Sequence, residues 1–234
     1  MITSLIKKVL PKSVKDFIRT VLSALDMSRY GKIFKKYAYF TMISRGLYKE
    51  NLNLAQRVMV EGDVVECGSW RGGMIAGIAE VLGKKRKYYL YDSFEGLPQA
   101  QAIDGASAIA WQKDTKSTLY FDNCTADIND ANRAMERAGV QYECIKGWFN
   151  DTLPSNTVES IALLRLDGDW YDSTMICLKH FYPKVATGGL ILIDDYPTWD
   201  GCSRAVHDYL SSIQSKSRIG RGSKNGVAFI IKND

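Results

Sequence analysis

Four aspartates in two pairs carry the strongest chemical signal in the sequence. Asp167 and Asp169, separated by Gly168, follow the largely apolar run 163–166, and Asp194 and Asp195 follow "GLILI". If the two runs are neighbouring parallel strands, both ends open on one rim and four carboxylates crowd a small volume. Each then opposes ionisation of the others, and burial opposes all of them. A divalent cation removes that penalty. Oxygen donors without His or Cys select a hard ion, Mg2+ first, then Ca2+ or Mn2+. Asp167, Asp194 and Asp195 are assigned as its ligands. Asp169 is left to take a proton from a hydroxyl that the cation acidifies. The competing reading makes each acid the cap of the helix that follows, Asp169 for "YDSTMICLKHFY" for example. One acid per strand end would fit that reading; two at each of two ends favour the metal.

A second group surrounds the first strand. "VVECGSWRGG" puts Glu66 at a strand end and follows it with Gly68, Gly72 and Gly73. Ligands of open α/β sheets bind beyond the carboxyl ends of strands, where glycine lets backbone approach closely. The spacing G-x-x-x-G-G departs from the dinucleotide fingerprint, and an acid two residues before the first glycine is awkward for a pyrophosphate. It suits a cationic ligand. S-adenosylmethionine, with its ammonium and sulfonium, explains Glu66 better, and a methyl donor beside an acidified hydroxyl makes methyl transfer the expected reaction.

Trp70 and Arg71 share this turn and are grouped with the cofactor-binding residues, as is Asp167; Arg71 has the alternative of pairing with an acid. Asp92, closing "KYYLYD" with Ser93 beside it, either accepts from ribose hydroxyls or caps the turn "DSFEGLP". Trp148 in "KGWFNDTLP" either flanks an adenine or packs in the core. His180 and His207 fall in predicted helices and take surface or packing roles. "DDYP" lacks the double proline of DNA amino-methyltransferases and follows the fifth strand instead of the fourth, which excludes that reading.

These residues need strand tips on one rim, and the chain supplies them. From residue 62, short apolar runs at 63–68, 87–92, 142–147, 161–167 and 189–195 alternate with helical stretches around 73–82, 127–139, 172–182 and 201–214. Near-continuous apolar strands between helices predict a doubly wound α/β fold with a mostly parallel seven-stranded sheet. "SRIGRGSKNGVAFIIK" reads as a hairpin about Asn225–Gly226, adding an antiparallel edge. Residues 1–60 read as an N-terminal helical cap and 61–234 as the cofactor-binding core, with no Gly- or Ser-rich linker between them.

Composition narrows the class. No apolar stretch reaches membrane-spanning length, and no signal peptide is recognisable. Five cysteines without a C-x-x-C pair fit neither a disulfide framework nor a zinc site, and point to a reducing cytoplasm. The net charge of +5 divides into +7 over residues 1–40 and −2 over the rest. The candidate site is therefore acidic, which excludes nucleic acid as its partner. The basic stretch "SLIKKVLPKSVKDFIRTVLSAL" reads as a solvated helix face, with weak contact to an anionic membrane surface as the alternative.

"GDVVECGSWRGG", "YDSFEGLP", "GWFNDTLP", "IALLRLDGDWYDSTM" and "GGLILIDDY", in that order, with "FTMISRGLYKENL" upstream, resemble the macrocin O-methyltransferase family. Its members methylate sugar hydroxyls in antibiotic and other glycoside pathways. The matching segments run from about residue 40 to 196. The resemblance implies a class I methyltransferase fold, S-adenosylmethionine, and Mg2+ on Asp167, Asp194 and Asp195. It further implies Asp169 as general base, Thr41 and Met42 near the cofactor, a small-molecule or glycan acceptor with a free hydroxyl, and a homo-oligomer. A catechol-type O-methyltransferase would use the same metal logic. A non-catalytic S-adenosylmethionine-binding protein would not need Glu66, Asp92 and all four rim acids.

Overall fold

The computed structural model describes residues 25, 27–223 and 226–234. Residues 1–24, with most of the basic stretch, and Asn225 of the predicted turn lie outside the described residues.

Seven strands form one sheet: β1 (Asp63–Cys67), β2 (Lys87–Asp92), β3 (Gln141–Lys146), β4 (Ile161–Leu166), β5 (Val185–Ile193), β6 (Ile219–Arg221) and β7 (Ala228–Ile231). Their order is β3-β2-β1-β4-β5-β7-β6. β1 to β5 are mutually parallel, and β7 runs antiparallel to both β5 and β6. The doubly wound sheet and its antiparallel edge are as the sequence predicts. Chain order reverses between β1 and β4, so the ligand crevice of such a sheet lies above those two strands.

The helices are α1 (27–37), α2 (Arg45–Ala55), α3 (Gly73–Leu82), α4 (Ala106–Lys113), α5 (Ile128–Ala138), α6 (Phe149–Thr152), α7 (Tyr171–Phe181) and α8 (Asp200–Ser212). The four predicted between strands appear within two residues of their expected ends. Local chemistry sets the ends: Asp127 caps α5 by accepting the Asn129 N–H at 2.9 Å, and Gly139 closes it at φ 67°.

Strand period divides the interior in two. Val64, Leu90, Leu163 and Leu192 face a core shared with α1, α2, α3 and α5. Val65, Leu164, Ile191 and Ile193 face the opposite core, built with α7 and α8. Tyr30, Ile33, Tyr37, Tyr48 and Leu52 of α1 and α2 belong to the first core, so the described part of residues 1–60 packs directly on the sheet.

The segment 93–126, to which the sequence reading assigned no element, folds around one side chain. Gln112 accepts the Ala100 N–H at 2.7 Å and donates to Pro98 O at 2.9 Å and Asn123 Oδ1 at 3.0 Å. Asn123 in turn donates to Leu97 O at 2.8 Å. Trp111 of α4 meets Trp170 and Trp199 edge-on, with ring centroids 6.2 and 6.0 Å away. Phe121, Asp122, Asn123 and Cys124 form a left-handed turn, with φ between 50° and 62°.

Two glycines make opposite predictions. A Cβ on Gly77 would fall on the Tyr48 hydroxyl, whereas one on Gly46 meets nothing within 4 Å. Gly77→Ala should therefore lower stability by about 1–3 kcal/mol through overpacking. Gly46→Ala should leave stability unchanged or raise it by up to ~1 kcal/mol through helix propensity. Urea midpoints of the two variants check both signs.

Candidate active site

The site starts from a close approach of strand tips. Asp167 N–H donates to Cys67 O at 2.9 Å, and Asp194 N–H donates to Leu166 O at 2.9 Å. The ladder thus runs one residue past β1, β4 and β5. Gly68 sits at φ 84°, and a Cβ there would overlap the Asp167 carbonyl, so only glycine permits this approach. The result is the expected convergence: carboxylate oxygens of Asp167, Asp194 and Asp195 lie within 4.8 Å of one another.

Asp169 is fixed beside them. Its backbone N–H donates to Asp195 Oδ2 at 3.0 Å, its Oδ1 accepts from Trp199 Nε1 at 2.9 Å, and its φ is 56°. A non-glycine residue held left-handed at a strand end stores strain that the surrounding bonds must maintain.

Beneath the acids lies a cation that the sequence reading passed over as part of an apolar run. Arg165 is 1% exposed. Its Nη1 lies 3.0 Å from Glu66 Oε1 and 2.7 Å from Asp167 Oδ2, and its Nη2 lies 2.7 Å from Asp194 Oδ1. One guanidinium against Glu66 and four aspartates leaves the rim strongly negative. Burial raises Glu66 to about 8 against the pull of Arg165, and raises Asp167 to about 6. Burial and neighbouring aspartates push Asp169 and Asp195 well above the usual carboxylate range. An all-oxygen donor set with uncompensated charge fits a hard dication. Glu66 Oε2 is buried without a hydrogen-bond partner, which fits an ammonium ligand.

All four aspartates border one cavity of about 310 Å³. Thr41 and Met42, on the segment between α1 and α2, form part of its wall, as do Glu66, Gly68 and Trp70 at the β1 tip. Asp92, Ser93 and Trp148 complete the set. The Asp92 carboxylate accepts three backbone N–H groups: Ser69 and Trp70 at 2.7 Å on Oδ2, and Phe94 at 2.6 Å on Oδ1. It caps its own turn and also anchors the turn after β1. Trp148 is 38% exposed, so it is not a core residue.

Arg71, Gly72 and Gly73 do not border the cavity. Arg71 lies over the Trp70 and Tyr39 rings, with Nε 3.5 Å from Asp130 Oδ2, so it pairs with an acid outside the rim. A Cβ on Gly72 would press on Ala131 and one on Gly73 would overlap the Phe40 carbonyl. The left-handed φ of 75° at Gly72, its packing on Ala131 and the approach of the Phe40 carbonyl to Gly73 therefore account for both glycines without a ligand. Beyond Arg165, the sequence reading missed Ser69, whose buried hydroxyl borders the cavity without a hydrogen-bond partner, and Phe121 and Cys124 of the left-handed turn. Arg165 had a signal, a lone cation in an apolar strand just before an acid pair. The others had none.

The sequence matches the macrocin O-methyltransferase (TylF) family over residues 28–229. The chain belongs to that family. It is 36% identical over 157 residues to the 8-demethyl-8-(2,3-dimethoxy-alpha-L-rhamnosyl)-tetracenomycin-C 4'-O-methyltransferase of Streptomyces olivaceus, covering 64% of this chain and 58% of that one. It is 33% identical over 177 residues to the demethyldecarbamoylnovobiocin O-methyltransferase of Streptomyces niveus, covering 72% of this chain and 65% of that one. The chain thus spans 58% and 65% of the length of these two relatives. The solved O-methyltransferase NovP superposes with a TM-score of 0.70 at 24% identity, over 91% of this chain and 100% of that one. The fold is that of the class I, Rossmann-like O-methyltransferases.

The raised carboxylates fix a pH dependence. Folded values above unfolded ones mean that the metal-free protein binds more protons when folded. The associated stability is present below about pH 4 and is lost as pH rises through about 6 for Asp167 and about 8 for Glu66. In chelator, urea midpoints should fall from about pH 5 to about pH 8, and added Mg2+ should lessen the fall. A midpoint that rises over this range would mean that the acids are better compensated than the geometry indicates.

Proposed function

We propose that the protein transfers the methyl group of S-adenosylmethionine to a hydroxyl of a sugar or sugar-bearing natural product, assisted by a divalent cation, Mg2+ first. The observation that carries this reading is the cluster of Asp167, Asp194 and Asp195 oxygens in the cavity that also holds Glu66 and Asp169. Family membership supports it. One relative is named for methylating the 4'-oxygen of a rhamnosyl tetracenomycin, the other for demethyldecarbamoylnovobiocin.

Asp167, Asp194 and Asp195 would hold the cation, whose charge would lower the pKa of an acceptor hydroxyl. Asp169 takes the proton. Trp199 and the Asp195 carboxylate fix its position, and the neighbouring acids oppose its ionisation until their charge is neutralised. Glu66 and Ser69 receive the polar methionine end of the cofactor, Glu66 by its unpaired Oε2 and Ser69 by its unpaired hydroxyl. Gly68, Trp70, Asp92 and Ser93 form the next part of the cofactor wall, and Trp148 offers an exposed ring to the adenine. Thr41 and Met42 cover the cofactor from the N-terminal side, so that residues 27–60 act as a cap on the cofactor-binding core. Alignment of donor and acceptor is the main contribution of the chain to the rate.

The negative rim disfavours nucleic acid. None of the described helices is long and apolar enough to cross a membrane. A cytoplasmic homo-oligomer accords with the free cysteines and with family habit.

Asp169→Asn should reduce turnover about 10²- to 10⁴-fold, the usual contribution of a general base, while S-adenosylhomocysteine binding stays near wild type. Chelator should abolish methyl transfer to sugar acceptors and Mg2+ should restore it. Full turnover in chelator, measured by mass spectrometry of the methylated product, would exclude the metal-assisted mechanism.

A further inference from the structure

Charge is divided unevenly along the chain, +7 over residues 1–40 and −2 over the rest. The two faces of α1 show where part of the excess goes. Its inward stripe, Tyr30, Ile33 and Tyr37, is buried in the sheet core at spacings of three and four. Its outer stripe is exposed and carries Arg29, Lys32, Lys35 and Lys36, and α1 contains no acid. Large apolar side chains are exposed at both ends of this stripe. Leu25 and Met27, around its start, are 61% and 39% exposed, and Tyr39, past its end, is 60% exposed.

The basic face continues onto the C-terminal turns of α3 and α5. Arg29 Nη2 donates to Glu80 O at 2.9 Å, Lys36 Nζ to Arg137 O at 3.1 Å, and Arg137 Nη1 to Lys36 O at 2.9 Å. Arg29 and Arg137 are thus held by carbonyl oxygens, which leave their charge uncancelled. Lys84, beyond α3, reaches the cap of α5, its Nζ 3.4 Å from where a Cβ on Gly139 would lie. Few acids oppose these cations. Glu80 is bound to Lys36 and Tyr37, and Asp130 is buried against Arg71 and Arg133. That leaves Glu136 as the exposed acid of α3 and α5.

We propose that this face docks on an anionic membrane surface, with α1 lying along the lipid headgroups, Lys32 and Lys35 against lipid phosphates, and Leu25 and Met27 at the acyl boundary. Cations interleaved with exposed apolar side chains suit the layer between charged headgroups and hydrocarbon. A nucleic-acid surface has no counterpart for Leu25 and Met27. The sequence leading to Leu25 has the same character: residues 1–24 carry five Lys/Arg against Asp16, interleaved with leucine, isoleucine and valine. The contact is peripheral, since none of the described helices is long and apolar enough to cross a membrane. α1 leads through Ala38–Phe40 into Thr41 and Met42 of the cavity wall, so docking holds the cavity close to the bilayer. The docking does not depend on the methyl-transfer reading.

Sedimentation of the full chain with lipid vesicles tests this. Wild type should pellet with phosphatidylglycerol–phosphatidylcholine vesicles mixed at about 3:7, not with phosphatidylcholine alone, and about 0.5 M salt should release it. Lys32→Gln and Lys35→Gln should each weaken binding about 5-fold and the double variant about 25-fold. Leu25→Ser with Met27→Ser should weaken it about 10-fold or more, through lost apolar burial. Urea midpoints equal to that of wild type establish that the variants fold. Failure of wild type to pellet with the mixed vesicles, or binding by the double lysine variant equal to that of wild type, would overturn the proposal. Unchanged binding by the Leu25/Met27 variant, with duplex RNA displacing wild type from the vesicles, would reassign the face to nucleic acid and equally overturn it.

Discussion

A buried guanidinium organises this rim. Arg165 reaches from β4 to Glu66 on β1, to Asp167 beyond its own strand, and to Asp194 beyond β5, joining three strand tips through one planar group. Such an arrangement adds little net stability, because the desolvation of four charges offsets their attraction. Removing one partner is another matter, typically costing about 3–5 kcal/mol, since it leaves uncompensated charge in the interior. The role of Arg165 is thus positional: it holds Glu66, Asp167 and Asp194 in place where an apolar strand would exclude them. It does not neutralise them. The surplus negative charge is what makes a dication and a cationic cofactor physically welcome in the same cavity.

Turns around the rim are held in conformations that non-glycine residues avoid. Trp70, Phe94 and Asp169 have φ of 47°, 57° and 56°, each at a turn following β1, β2 or β4. Left-handed backbone costs about 1–2 kcal/mol per residue, so something must maintain it. Asp92 does this for two of the turns, accepting N–H groups of Trp70 and Phe94 on one carboxylate. Asp195 and Trp199 do it for the third. A residue read from sequence as either a ribose contact or a turn cap therefore caps two turns and shapes the cavity wall.

The sheet was legible because buried parallel strands are apolar on both faces, and the helices because their caps and periodicity are local. The rim acids were legible for the opposite reason: charge directly after an apolar run has few structural explanations, and pairs have fewer. Arg165 was obscured by that same contrast, since it sits among leucines. Glycines mislead in a definite way. Gly68 permits strand tips to meet at the site, whereas Gly72 and Gly73 permit helix packing, and a sequence does not distinguish approach to a ligand from approach to backbone. Segment 93–126 had no periodicity to read, because its fold depends on the side chains of Gln112, Asn123 and Trp111, which act over distances in sequence that local patterns do not encode.

The whole account of the rim depends on the acids being a true cation site. The most direct measurement is electron paramagnetic resonance of Mn2+ titrated into the protein with S-adenosylhomocysteine present. The account predicts one tightly bound Mn2+ per chain, displaced by excess Mg2+ and lost in Asp195→Asn while the cofactor product remains bound. Absence of bound Mn2+, or an unchanged signal in Asp195→Asn, would contradict it.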